Sequence, residues 1–392
     1  MKIIVNNLVN SVRKMTKGKK KATFIFQLYI FQLCILLFTL GTIYSSEGPT
    51  SYAIIGIELV FTGSLFIFNL NKIVMTDLIT ILISMAFIIF GYLYHNNSII
   101  YCGILSILFM IVKSEKIIII YGIAQMITFL YFSIQAFIGI RPLFGFQSIV
   151  FGFQQKNVAG YFLLSIMIAI FKILDRYKLR YSLLVLLLSL YVESFLINDR
   201  TAALLILIFF IIYKQNLIPK SRISKILAVS LPVLLTIISL YLLNNYGKVD
   251  FLYKIDEILS KRVQIWQLFW SYFSPKLFPQ DVSLLVSRDL TNLPFDGVYA
   301  SGLLQYGYIF YLLIILLLSN SIYFSIKENN KYLYTTIIIY ILLGFTESVA
   351  FNSIICYLLP FSISAFSCRL HIKMNHRKEI KEDESFNNSS CV

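Results

Sequence analysis

The chain has 392 residues, 58% of them hydrophobic and only 14% charged, with a formal net charge of +15. Soluble domains run at about 45–50% apolar and about 25% charged; together with a mean hydropathy of +0.79, this excludes an ordinary soluble protein and points to an integral membrane protein. The Lys and Arg residues flank apolar runs instead of forming a basic stripe interleaved with aromatics, which argues against nucleic acid as a partner and makes them topology signals.

Residues 1–23 read as a basic cytoplasmic tail. The apolar run at 24–44 lacks a small-x-small cleavage site and is long enough to span, so it reads as an uncleaved first helix and not a signal peptide. Further runs lie at 51–69, 77–94, 99–112, 117–138, 157–174, 182–198, 201–213 and 226–243. After a polar interruption at 244–300 come 302–325, 333–348 and 350–368, then a second polar tail at 369–392. At about 20 residues per crossing this is an all-α polytopic protein of about 12 transmembrane helices, about nine in 24–243 and about three in 301–368. With the N-terminus in the cytoplasm, roughly 25 of the 34 Lys and Arg fall inside. Both termini are then cytoplasmic, and 244–300 is one long extracytoplasmic loop. The cysteines, Cys34, Cys102, Cys356, Cys368 and Cys391, avoid that loop and form no CxxC, so neither a disulfide framework nor a zinc site is expected. His371 and His376 belong to the C-terminal tail; His95 is isolated.

The long loop carries both tryptophans. Within 255–273, Ile255, Leu259, Trp266, Phe269, Trp270 and Phe273 recur near helical spacing, with Lys254, Asp256, Glu257 and Lys261 between them. That pattern predicts an interfacial amphipathic helix with its tryptophans at headgroup depth. Arg262, one turn from Trp266, could stack on it and offer its fork to a phosphate; a plain interfacial anchor is the alternative.

Cations on the side that topology disfavours are the better ligand candidates, and they include Arg141, Arg200, Arg262 and Arg288. Asn198-Asp199-Arg200-Thr201-Ala202-Ala203 joins two apolar runs, so Arg200 either faces a polar site or snorkels beside a capped turn. In Phe295-Asp296-Gly297-Val298-Tyr299, Asp296 is a helix cap or a base. Glu347 lies with Asn352 in the break between the last two runs. Glu58 and Glu193 are isolated acids, for which an internal hydrogen bond is the expected role.

In this order the pieces resemble the O-antigen polymerase and O-antigen ligase superfamily of bacterial glycan-assembling membrane enzymes. The resemblance rests on Asn198-Asp199-Arg200-Thr201-Ala202-Ala203-Leu204, where Asp stands in place of the usual Ser. It rests also on Arg262 with Trp266 opening the loop, on Asp296-Gly297-Val298-Tyr299 through Gly307 closing it, and on Gln154-Gln155-Lys156-Asn157 before a span. It implies a GT-C-like glycosyltransferase fold acting at the outer face of the bacterial cytoplasmic membrane on an undecaprenyl-pyrophosphate-linked oligosaccharide. No cofactor or metal is implied, and the expected pathway partners are a flippase and a chain-length regulator. Arg200 and Arg262, with Arg141 and Arg288, would bind the pyrophosphate; Asp296 and Glu347 would be catalytic; Trp266, Tyr299 and Asn157 would position substrate. The loop has Asp296 where ligases usually carry a His, which favours a repeat-unit polymerase for capsule, exopolysaccharide or O-antigen over a ligase acting on a final acceptor. Nearly uniform apolar spans favour an enzyme over a lipid-linked glycan flippase.

Overall fold

The computed structural model describes residues 75–112, 116–145, 148–280, 295–351 and 356–365, apart from 154 and 176, with scattered positions between 56 and 73. The expected span at 24–44, most of that at 51–69, both tails, Glu58 and Arg288 lie outside the described residues.

The fold is helical. α1 (Met75–Leu93), α2 (Asn97–Val112) and α3 (Lys116–Phe137) precede a small antiparallel hairpin, β1 (Phe144–Gly145) and β2 (Ser148–Ile149). α4 (Lys156–Leu174) and α5 (Leu179–Tyr191) follow, and α5 continues as a π-helical turn, Val192–Ile197. Then come α6 (Arg200–Gln215), α7 (Arg222–Val229), α8 (Leu231–Asn245), α9 (Asp250–Ile258), α10 (Arg262–Tyr272), α11 (Val298–Lys327) and α12 (Lys331–Thr346), with a 3₁₀ turn at Ser348–Phe351 and a helical stretch at 358–365. Among the described residues four helices are long and apolar enough to cross a membrane: Ile118–Phe137, Lys156–Leu174, Leu179–Ile197 and Val298–Lys327. A fifth span arises if α7 and α8 count as one, and α1, α2 and α12 are shorter apolar helices.

Local chemistry sets the ends. Asn198 (φ 59°), Asn216 (φ 53°) and Asn329 (φ 49°) take the left-handed conformation that asparagine tolerates, closing the π-turn, α6 and the α11–α12 link. Asn330 caps α12 by accepting from the Leu333 amide at 3.1 Å. The expected span at 226–243 is two helices bent by 55°. Pro232 in the first turn of α8 has no amide hydrogen to continue a helix through the junction.

The expected single span at 302–325 differs as well. α11 starts four residues earlier, at Val298, and is broken at Gly307 (φ 69°, ψ 170°). The segment before 281 fills the break: Tyr308 and Ile309 donate their amides to the carbonyls of Lys276 and Leu277 at 2.9 and 3.1 Å, and the Gln280 amide donates to the Gln305 carbonyl at 3.1 Å. Only glycine fits there, because a Cβ would overlap the Phe278 carbonyl. The main core gathers buried residues of α2, α3, α4, α6, α11, α12 and 358–365, including Tyr121, Phe162, Phe209, Ile314, Ile339 and Leu359. It brings the N-terminal ends of α4, α6 and α11 to the same end of the bundle as the C-terminal end of α12.

Candidate active site

Arg262 is the first residue of α10, and its placement is local work. Ser260 (φ 57°) and Lys261 (φ 63°) are both left-handed and turn the chain sharply out of α9. Asp256 of α9 then caps α10 from outside, accepting from the Val263 and Gln264 amides at 2.7 and 3.3 Å. The expected continuous amphipathic helix over 255–273 is therefore two helices, interrupted at the left-handed Ser260 and Lys261, with the Asp256 side chain capping the second.

Trp266 is fully buried within the protein. Its indole N–H donates to the Asp296 carbonyl, and Trp270 donates to the Ala300 carbonyl at 3.1 Å. Phe269 stacks on Phe295 with centroids 4.1 Å apart. These contacts dock α10 on the start of α11, and each indole, Trp266 buried and Trp270 part-buried, finds an acceptor for its N–H. Arg262 does not stack on Trp266. Its Nη2 forms an ion pair with Glu347 Oε1 and lies 3.7 Å from Asp296 Oδ2. The other N–H groups of the guanidinium make no hydrogen bond among the described residues.

Glu347 follows the last residue of α12, and Ser348 beside it donates to Asp296 Oδ1 at 3.1 Å. Asp296 therefore does not cap α11; Gly297 occupies that position without a side-chain bond. Glu347 is only 3% exposed, against 13% for Arg262 and 18% for Asp296, so solution reaches the arginine and the aspartate first. Burial pushes the Glu347 carboxyl up to about 7, with Asp296 and Asp199 adding to the rise while Arg262 and Tyr161 oppose it.

Asp199 realises the capping alternative. Its Oδ1 accepts from the Thr201 and Ala202 amides at 3.0 and 3.1 Å, holding the start of α6. Its Oδ2 points at α4, where a Cβ on Gly160 would stand 2.6 Å away. Burial raises the Asp199 carboxyl above its ordinary value, against the two amides, Arg262 and Lys156. Tyr161, one residue on from Gly160, faces both Glu347 and Asp199 with its hydroxyl outside good hydrogen-bond geometry.

The structure thus joins Arg262, Asp296 and Glu347, with Trp266 supporting Asp296, and it leaves the expected arginine cluster unassembled. Arg200 is exposed and enters no ion pair or hydrogen bond among the described residues, because α6 turns it away from the face on which Asp199 sits. Arg141 sits where α3 meets the hairpin, donating to the Gly152 carbonyl at 2.9 Å and lying over the Phe132 ring. Tyr299 is fully buried and donates to the Ile341 carbonyl at 2.9 Å, which makes it a packing residue. Asn157 is part-exposed in the first turn of α4. Glu193 has neither carboxylate oxygen hydrogen-bonded among the described residues, against the expected internal hydrogen bond. Tyr161, Lys156 and Ser348 are additions that only the fold supplies. Among the described residues no group of three or more His, Cys, Asp or Glu side chains is arranged to hold a metal ion. No protein-family model, curated protein or solved structure matches the chain.

Proposed function

We propose that the protein is a polysaccharide repeat-unit polymerase: a multi-pass enzyme of about twelve spans in a bacterial cytoplasmic membrane, both termini inside, acting at the outer face. Its donor is an oligosaccharide carried on undecaprenyl pyrophosphate and its acceptor is a sugar hydroxyl. The observation that supports this best is one part-exposed guanidinium, engaged through Nη2 alone, held against a buried carboxyl that titrates near 7. Arginine has five donors in a rigid fork, so those outside Nη2 remain to grip a pyrophosphate and stabilise the charge it gains on leaving. Glu347, with a pKa near the working pH, is suited to take the acceptor proton; Asp296, more open, orients the hydroxyl. This chemistry asks for no metal.

Arg262→Lys keeps the charge but loses the fork. In cells carrying it as the sole copy, surface glycan should collapse to single repeat units, read as a chain-length ladder on a gel. A normal ladder would sink the role of Arg262. A second reading, a flippase for the same lipid-linked glycan, is favoured by the break in α11, since interrupted helices are a feature of transporters. Lipid-linked repeat units trapped in the cytoplasm of a deletion strain would support that reading and overturn the polymerase.

A further inference from the structure

The end of the bundle away from Arg262 carries a second group of charges that the chemistry above does not use. Lys172 is in the last turn of α4, Lys214 in the last turn of α6, and Lys331 is the first residue of α12. Lys214 Nζ lies 3.4 Å from Asp175 Oδ1, and Lys331 Nζ lies 3.3 Å from Asp175 Oδ2. Two fully buried tyrosines form the floor beneath them. Lys331 and Lys214 lie over the Tyr213 ring at 4.6 and 5.7 Å, and Lys172 lies over the Tyr332 ring at 4.8 Å. The two rings meet edge to face with centroids 5.8 Å apart. Aromatic faces attract ammonium groups, so the three lysines are held in place instead of swinging through solution.

Charge leaves this group incomplete. Three ammonium groups gather around one carboxylate, and the Lys214 and Lys331 side chains are only 18% and 36% exposed, so water screens their repulsion in part. Three donors on each ammonium outnumber the lone pairs of a single carboxylate. Glu328, three positions before Lys331, is exposed and enters no ion pair among the described residues. Shape then says what kind of anion fits. Leu204, Leu207 and Ile211 are exposed, and their spacing places them on one face of α6 that ends at Lys214. Ile173, beside Lys172, is exposed as well. A free phosphate ion has no use for an apolar stripe. A phospholipid uses both parts, with an acyl chain along the stripe and its phosphate at the lysines.

We propose that Lys172, Lys214 and Lys331 form a binding site for the phosphate of an anionic phospholipid, whose acyl chain lies along Leu204, Leu207 and Ile211. The headgroup must be net negative, because a zwitterionic one carries a further ammonium into a place that already holds three. The positive-inside rule puts this end at the cytoplasm, so the lipid is one of the cytoplasmic leaflet. The site does not depend on the polymerase reading. It bears on the candidate active site all the same, since α4, α6 and α12 carry Tyr161, Asp199 and Glu347 at or near their other ends. A phosphate shared by the three lysines ties those helices together.

The full-length protein in a neutral detergent tests this. Offered phosphatidylglycerol and phosphatidylcholine with the same acyl chains in equal amounts, it should retain phosphatidylglycerol preferentially, read by native mass spectrometry. Lys172→Gln and Lys214→Gln should each weaken that retention about fivefold, while Lys225→Gln in α7 should leave it unchanged. Equal retention of the two lipids would overturn the site. So would a loss in Lys225→Gln as large as in Lys172→Gln, because the attraction would then be diffuse. Lys172→Gln leaves both ion pairs to Asp175 in place, so it carries the test if circular dichroism shows Lys214→Gln to be unfolded. Inorganic phosphate separates the two sources of the anion. It should neither displace phosphatidylglycerol nor raise the melting temperature, and stabilisation by phosphate alone equal to that by the lipid would overturn the phospholipid as ligand.

Discussion

Glu347 is the residue on which burial and charge pull hardest against each other. Its carboxyl titrates at about 7 in the fold against an ordinary 4.5, so the folded protein binds its proton more tightly than the unfolded chain. Between those two values the native state holds more protons, and stability falls as pH rises through that window, levelling off above about 7. Glu347→Gln should remove this component, flattening the melting temperature between about pH 4.5 and pH 7. On the proposed polymerase reading, wild type should gain rate as pH climbs towards 7 and the same substitution should abolish that rise, measured as a pH–rate profile. Arg262 could be singled out in the sequence, because an arginine on the side topology disfavours needs a reason. Asp296 and Glu347 were named beside it, but their pairing with Arg262 could not be read, since Glu347 lies 85 residues away in the chain and meets it only through the docking of α10.

Breaks are what the helices use to bring chemistry together. α9 and α10 would run on as one amphipathic helix but for two left-handed residues and the cap from Asp256. α11 would be an unbroken span but for Gly307, where the 276–280 segment supplies carbonyls to amides that the helix leaves open. A left-handed conformation costs a residue with a Cβ about 1–2 kcal/mol, and at Gly307 the Cβ would also meet the Phe278 carbonyl. Gly307→Ala should therefore destabilise by about 2 kcal/mol or more, seen as a lower melting temperature of the detergent-solubilised protein with helix content by circular dichroism preserved. An unshifted melting temperature would show that the break can be straightened. Apolar composition made the span around Gly307 legible and the kink invisible, because the atoms that stabilise the kink come from another segment.

Among the described residues two charge clusters lie at opposite ends of the bundle. Asp199, Asp296 and Glu347 gather at one end with Arg262. At the other, Lys214 and Lys331 converge on Asp175 at 3.4 and 3.3 Å, and Lys172 lies over the Tyr332 ring. The positive-inside rule predicts that the lysine-rich end faces the cytoplasm. Exposed Lys261 and Lys327 lie next to Arg262 in the link between α9 and α10 and in the last turn of α11, respectively. In a background lacking Cys34, Cys368 and Cys391, Lys261→Cys should react with a membrane-impermeant thiol reagent in intact cells and Lys327→Cys only after permeabilisation. The reverse pattern would invert the topology.

By itself the sequence determined that the chain is a helical membrane protein, where most of its apolar helices begin and end, and where the polar breaks between them fall. Spanning length, caps and flanking charge are local properties, so they can be read locally. Tertiary structure alone decided which breaks meet. It set Arg262 against Glu347 and Asp296, left Arg200 and Arg141 out, sealed Trp266 and Tyr299 in the core, and stranded Glu193 without a donor. The reason is physical: an ion pair or a buried orphan depends on which helix ends pack side by side, and nearly uniform apolar faces carry little of that information along the chain.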